Sequence, residues 1–275
     1  MIIKFYGTRG SIPICEREFM EFGGNTTCVF FSAVDEGAGS IIMDAGTGIR
    51  KLGKDILSRT IDVGDRINLG FTHFHSDHIQ GFPFFDPAYN PNSIIRISTM
   101  GNRKVLNLKD IFSTKMQAVY FPVQLENMGA QIEFVKYDSS ELVGEKGALV
   151  NVAEVQHPGG CIGVRFEFNK KSVVFCTDVE HSDGIDQNVV DLAMNVDVLI
   201  HEAQYTDEEL ETHKGWGHSS YSQAIEVAER SNVKQLIITH HDPDHDDEFL
   251  KTIEKKCQDR FKDCVLAREK MQIEL

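Results

Sequence analysis

Short apolar runs, punctuated by glycine, proline and acidic turns, recur along the whole chain, and a run of four to eight apolar residues between such turns marks a strand. Ile2 to Tyr6 reads as a first strand, and Cys28 to Val34 with Ser40 to Met43 as a hairpin broken by Asp35-Glu36-Gly37-Ala38-Gly39. Ile67 to Phe71 and Ile94 to Met100 are further strands. From there Ile132 to Tyr137, Ala148 to Val155, Cys161 to Phe168 and Ser172 to Cys176 follow at a regular spacing that suggests one sheet of a layered fold. Val196 to Ile200, Gln235 to Thr239, Cys264 to Ala267 and Met271 to Ile273 complete the strands.

Between these runs, helical spacing predicts helices over Ile49 to Leu57, Lys104 to Phe112, Gln187 to Met194, Tyr221 to Arg230 and Asp246 to Lys256, with Ser219 or Ser220 capping the fourth. A helix beginning at Ile79 should break at Pro83 and Pro87, leaving the aromatic segment Gly81 to Tyr89; Met116 to Val123 is a second aromatic stretch. Strands and helices interleave without a linker or an internal repeat, so residues 1–275 are expected to form one α/β domain.

Composition narrows the partners. Hydrophobic residues make up 41% and charged residues 25%, the balance of a globular protein. The formal charge of −14, with no basic cluster to offset it, makes long nucleic acid a poor partner. A small anionic substrate remains compatible, because metal ions invert the electrostatics of a site whatever the global charge. No apolar segment approaches the length of a membrane span and no signal peptide is evident, so the expected location is the cytoplasm. The six cysteines show no Cys-x-x-Cys pairing, which argues against a zinc ribbon and for reduced, mostly buried thiols. The aromatic segments suit the core or a homodimer contact better than a substrate platform.

The sharpest chemical signal is Phe71-Thr72-His73-Phe74-His75-Ser76-Asp77-His78, where an apolar strand ends in three histidines and a carboxylate. A mixed His/Asp set matches a metal centre that keeps positions open for water. His157, Asp178 and His240 also sit just past apolar runs, so all these loops can open at one sheet edge; His241 competes with His240. Asp44 ends another buried strand and needs partners there. The loop Gly7-Thr8-Arg9-Gly10-Ser11-Ile12-Pro13 can cup an anion or be an ordinary turn.

The His-x-His-x-Asp-His string resembles the signature of the metallo-β-lactamase superfamily. The Gly7 to Pro13 and Gly23-Gly24-Asn25-Thr26-Thr27 strings are similar to those of its phosphodiesterase-type branch, which includes phosphoribosyl cyclic phosphodiesterase and, more distantly, the tRNA 3′-end-processing ribonuclease. The resemblance implies a four-layer αβ/βα sandwich. It implies one divalent metal on His73, His75 and His157, a second on Asp77, His78 and His240, and Asp178 bridging them. Zinc or manganese is expected rather than iron, because the family's oxygen-reducing members usually replace a histidine of the motif by glutamate and His75 is present here. Two such metals about 3.5–4 Å apart acidify a bridging water into a hydroxide for attack at phosphorus. Asp44 matches the family's buttress of the histidine loop.

His201-Glu202-Ala203 and His218-Ser219-Ser220 are similar to two further motifs of that branch, which makes His218 a general acid or phosphate ligand and Glu202 its orienter; Gln204 departs from the ribonuclease's threonine. With Asp77, these are the expected catalytic residues, and Arg9, Ser11, Asn25 and Ser219 the expected substrate contacts. The expected activity is hydrolysis of a small cyclic or diester phosphate, such as a cyclic nucleotide or phosphoribosyl cyclic phosphate. Its rivals are an RNA 3′-end-processing nuclease, a thioesterase or lactonase on the same metals, and a non-catalytic protein stapled by metal.

Overall fold

Alternate side chains of each central strand feed two different interiors, which is why the strands read as continuous apolar runs. The computed structural model describes residues 1–101 and 107–275. Among these, β1 (Ile2–Gly7), β2 (Cys28–Ser32), β3 (Ser40–Met43), β4 (Ile67–Gly70), β5 (Ile94–Met100) and β6 (Gln131–Tyr137) pair in sequence order. A second sheet runs β7 (Glu141–Val143), β8 (Leu149–Val155), β9 (Cys161–Phe168), β10 (Lys171–Cys176), β11 (Val198–Glu202), β12 (Gln235–Thr239) and β13 (Cys264–Leu266). The last strand, β14 (Gln272–Glu274), returns to pair with β1. In the first sheet β3 to β6 are parallel, and in the second β10 to β13 are.

Helices α1 (Ile49–Leu57), α2 (Ser76–Ile79) and α3 (Leu108–Lys115) accompany the first sheet, and α4 (Gln187–Ala193), α5 (Asp207–Leu210), α6 (Tyr221–Arg230) and α7 (Asp247–Arg260) the second. Val29, Phe31, Val173, Phe175, Val198, Ile200 and Ile237 meet between the sheets. Their strand neighbours Cys28 and Phe30 face Ile49, Leu52 and Phe112 on one flank. Val174, Leu199 and Leu236 face Val189, Ala224 and Leu250 on the other. The result is a four-layer αβ/βα sandwich. Phe175, 0% exposed at its centre, is worth about 3–5 kcal/mol against truncation to alanine.

Several elements depart from expectation. Ile132 to Tyr137 joins the first sheet, parallel to β5, and not the sheet of the strands that follow it. The run expected to start a helix at Ile79 ends one instead: α2 is a single turn, and two 3-10 turns, Phe82–Phe84 and Asp86–Tyr89, replace the continuation at the prolines. The helix expected from Lys104 is seen as α3 from Leu108, and residues 104–106 lie outside the described residues. The edge strand β7 and the short α5 were not expected. Ser220 rather than Ser219 caps α6, in a reciprocal box with Gln223. Five of the six cysteines are buried and Cys15 is exposed. No helix among the described residues is long and apolar enough to cross a membrane.

Candidate metal centre

Most of the metal-facing side chains lie at or just beyond a strand's carboxyl end, with Asp77 and His78 on α2 and His218 before α6. His73 and His75 follow β4, His157 follows β8, Asp178 follows β10 and His240 follows β12, while His201 and Glu202 close β11. The parallel register of β10, β11 and β12 sets Cys176 beside His201 and Glu202 beside Thr239, which aligns these ends. Asp44, Asp178 and His240 take left-handed backbone, with φ of 60°, 51° and 62°. A residue with a side chain adopts that region at a cost of about 1–3 kcal/mol.

Among the described residues two groups of donors meet on Asp178, His73/His75/His157/Asp178 and Asp77/His78/His240/Asp178, with Glu202/His218/His240 a third group beside them, and within each the donor atoms lie within 4.8 Å of one another. Asp178 serves the first two. Its Oδ1 is 3.2 Å from His78 Nε2 and 3.3 Å from His240 Nε2, and its Oδ2 is 3.5 Å from His73 Nε2 and 3.8 Å from His157 Nε2. In the second group Asp77 Oδ2 is 3.3 Å from His78 Nε2 and 3.2 Å from His240 Nε2, and the two Nε2 atoms are 3.4 Å apart. A tetrahedron built on metal bonds of about 2.0–2.1 Å has edges of about 3.3 Å, so these separations fit one small divalent cation. His73 Nε2 is buried without a hydrogen-bond partner, which also suits a metal.

The electrostatics agree. Burial opposes ionisation of Asp178, yet His240, His78 and His73 hold it well below the usual carboxylate range. Asp77 is likewise lowered, against burial, by His78 and His240. Burial pushes His78 and His240 down, but Asp178 and Asp77 outweigh it and raise both. Protons on these imidazoles occupy the role a cation fills, so metal binding would release them.

Around the donors, the buried Asp44 accepts from the Thr72 amide at 2.9 Å and hydroxyl at 2.8 Å and from His78 Nδ1 at 2.9 Å. Ser11, on the rim, donates its amide to Asp77 Oδ2 at 2.9 Å and accepts from Gln204 Nε2 at 3.2 Å. His218 stacks on His240, with ring centroids 5.1 Å apart, and lies 5.6 Å from His157. Burial pushes its pKa down to about 3, so the ring is neutral.

Other expected roles change. Glu202 stands 3.8 Å from His218 Nδ1, beyond a hydrogen bond, and accepts instead from the amides of Ser219, Val179 and Gln204. It positions His218 through the backbone, and burial pushes its own pKa up to about 8. Ser219 is fully buried and donates its hydroxyl to Val179 O, so it faces the protein and not a substrate. Arg9 is also fully buried; its guanidinium donates to the carbonyls of Gly23, Asp242 and His245 and clamps three segments together. The Asn25 side chain is engaged by Glu269. His241 turns away from the donors, Nε2 donating to Ala267 O at 2.8 Å.

Two arrangements were not foreseen. Glu180 accepts from the amides of Gly215 and Gly217, each at 2.8 Å, and the Gly217 carbonyl takes the His157 Nδ1 proton at 2.7 Å. The loop before His218 is thereby tied to a metal-facing imidazole, and the paired glycines were its only trace in the sequence. A buried relay also runs behind the site: Asp186 N donates to His181 Nδ1, His181 Nε2 faces His201 Nε2 at 3.4 Å, and His201 Nδ1 donates to Glu202 O. Beside the histidine loop a cavity of about 550 Å³ is lined by Phe74, Ser76, Phe84, Lys115, Tyr120 and Phe121.

A family model described as a beta-lactamase superfamily domain matches residues 40–241, which spans the histidine loop, Asp178 and His240. The chain belongs to the metallo-β-lactamase superfamily. As a member of that superfamily it is a metal-dependent hydrolase. Ribonuclease Z of Staphylococcus carnosus is 23% identical to it, over 87% of this chain and 88% of the relative. The metallo-β-lactamase fold protein YhfI of Bacillus subtilis superposes with a TM-score of 0.71 at 16% identity, covering 99% of each chain. A diphosphatase of the PhnP family superposes with a TM-score of 0.70 at 17% identity, over 100% of this chain and 97% of that one.

Proposed function

We propose that this superfamily member hydrolyses a small cyclic or diester phosphate at a dinuclear centre of zinc or manganese. The observation that carries the reading is the division of the Asp178 carboxylate, one oxygen toward each donor group. His73, His75 and His157 would hold one ion and Asp77, His78 and His240 the other, with Asp178 shared. When bound, such a pair supplies Lewis acidity at phosphorus and brings water close to neutral pKa. Asp44 fixes the His78 tautomer so that Nε2 faces the centre. The neutral His218 is placed to donate a hydrogen bond to a phosphate oxygen or to the leaving oxygen, but not to give up a proton as a general acid. The ribonuclease and diphosphatase among the similar proteins support phosphorus over carbon as the reacting atom.

A second reading, an RNA 3′-end nuclease, is favoured by the near-full-length match to ribonuclease Z and opposed by the net charge of −14. Metal analysis joined to a hydrolysis panel decides. Turnover of 2′,3′-cyclic nucleotides or bis-p-nitrophenyl phosphate, with little on thioesters or nitrocefin, is the expected result. Preference for a 3′-extended RNA establishes the second reading, and turnover confined to thioesters or lactams removes both. A homodimer, if formed, would use the exposed Val119, Tyr120 and Phe84, and sedimentation reads it directly.

A further inference from the structure

Trp216 is the chain's single tryptophan, and it is 62% exposed. The loop that presents it is held on both sides. Buried Glu180 grips the amides of Gly215 and Gly217, the residues flanking it. Both glycines take left-handed backbone, with φ of +85° and +92°, and a Cβ on Gly217 would meet His157 Nδ1 at 2.3 Å. Trp216 N donates to His213 O at 3.1 Å.

A row of rings connects the indole to the donor groups. Trp216 meets His213 edge-on at 4.7 Å, His213 stacks on Tyr205 at 4.5 Å, and Tyr205 meets His218 edge-on at 6.0 Å. Two residue steps reach at most about 7 Å, so the Trp216 backbone lies that close to the His218 backbone. Trp216 and His218 thus rise from one short stretch of loop, and the Gly217 carbonyl between them accepts from His157 Nδ1. An indole fixed in place but left in water adds little to the fold, whereas a planar ligand gains from stacking on it.

We propose that Trp216 is the stacking platform for the planar base of a nucleotide substrate whose phosphate lies against the two donor groups. The inference rests on the phosphate-ester reading above and adds the class of group that the ester carries.

The test uses the metal-loaded full chain and its one tryptophan, excited where neither adenine nor tyrosine absorbs appreciably. Adenosine 5′-monophosphate should quench the emission saturably and ribose 5-phosphate should not. By calorimetry, Trp216→Ala should weaken adenosine 5′-monophosphate binding roughly ten-fold and Trp216→Phe should recover most of it. Equal responses to the two probes, no response to either, or unchanged affinity in Trp216→Ala overturns the platform. So does an emission change that follows protein concentration without nucleotide, which would mark Trp216 as a self-association contact. A protein that binds the nucleotide as described but hydrolyses no phosphate diester keeps the platform and loses the functional reading. One that hydrolyses diesters while Trp216→Ala binds like the wild type does the reverse.

Discussion

Asp44 Oδ2 lies 2.9 Å from His78 Nδ1 and receives the Thr72 hydroxyl proton at 2.8 Å. One buried carboxylate therefore ties the end of β3 to both ends of the histidine loop. Outer partners of this kind set ligand basicity and orientation, and removing one typically costs 10–100-fold in metal affinity. Asp44→Asn, which tolerates the left-handed backbone, should remain folded and lose affinity by about that factor. Metal content after graded dialysis reads it, and wild-type retention would show that the carboxylate is not needed.

Asp178→Ala should release both ions together, because each donor group loses one oxygen. Hydrolysis should fall by more than about 100-fold, the upper cost of losing even an outer partner, while circular dichroism stays native. A variant that unfolds with its activity would instead indicate a metal staple.

Gly217→Ala places a methyl 2.3 Å from His157 Nδ1 on a backbone with φ +92°. His157 must move, so the His73/His75/His157 group should lose its ion first while Asp77, His78 and His240 keep theirs. Metal stoichiometry near one per chain is the expected result; two per chain would contradict it.

The His181/His201 relay makes stability depend on pH. Burial pushes His181 down to about 3 and His201 to about 4, against about 6.5 in an unfolded chain. Below about pH 6.5 the unfolded chain takes up protons that the folded one refuses, so stability is full above that value and declines progressively toward pH 4 and 3. Each unit of separation is worth about 1.4 kcal/mol. In metal-free protein the urea midpoint should fall between about pH 7 and pH 5, and fall less in His181→Asn. Parallel slopes for the two proteins would exclude the pair as the source.

Much of this was legible in the chain because the fold writes its site at strand ends. Helices Ile49–Leu57 and Tyr221–Arg230 and strands Ile94–Met100, Cys161–Phe168 and Gln235–Thr239 match the apolar periodicity residue for residue. β6 was misplaced because spacing along a sequence does not say which neighbour a strand pairs with. β7 has three residues and α5 four, too few for a period to show, although the capping pair Thr206 and Glu209 was in view. The carbonyl contacts of Arg9 and Ser219 and the Glu269 contact of Asn25 were not legible, because a polar residue in a loop looks the same whether it faces a ligand or another part of the chain. The Glu180 clamp joins residues 35 and 37 positions apart, which no local pattern reports.

The left-handed backbone at Asp44, Asp178 and His240 sets stability against activity. Glycine at any of these positions would relax the main chain, and replacing the buried donors with apolar residues would remove the cost of desolvating them. Selection for heat resistance alone, with catalysis unscreened, should therefore erode the centre first, and the most durable descendants of this chain would be its inactive ones.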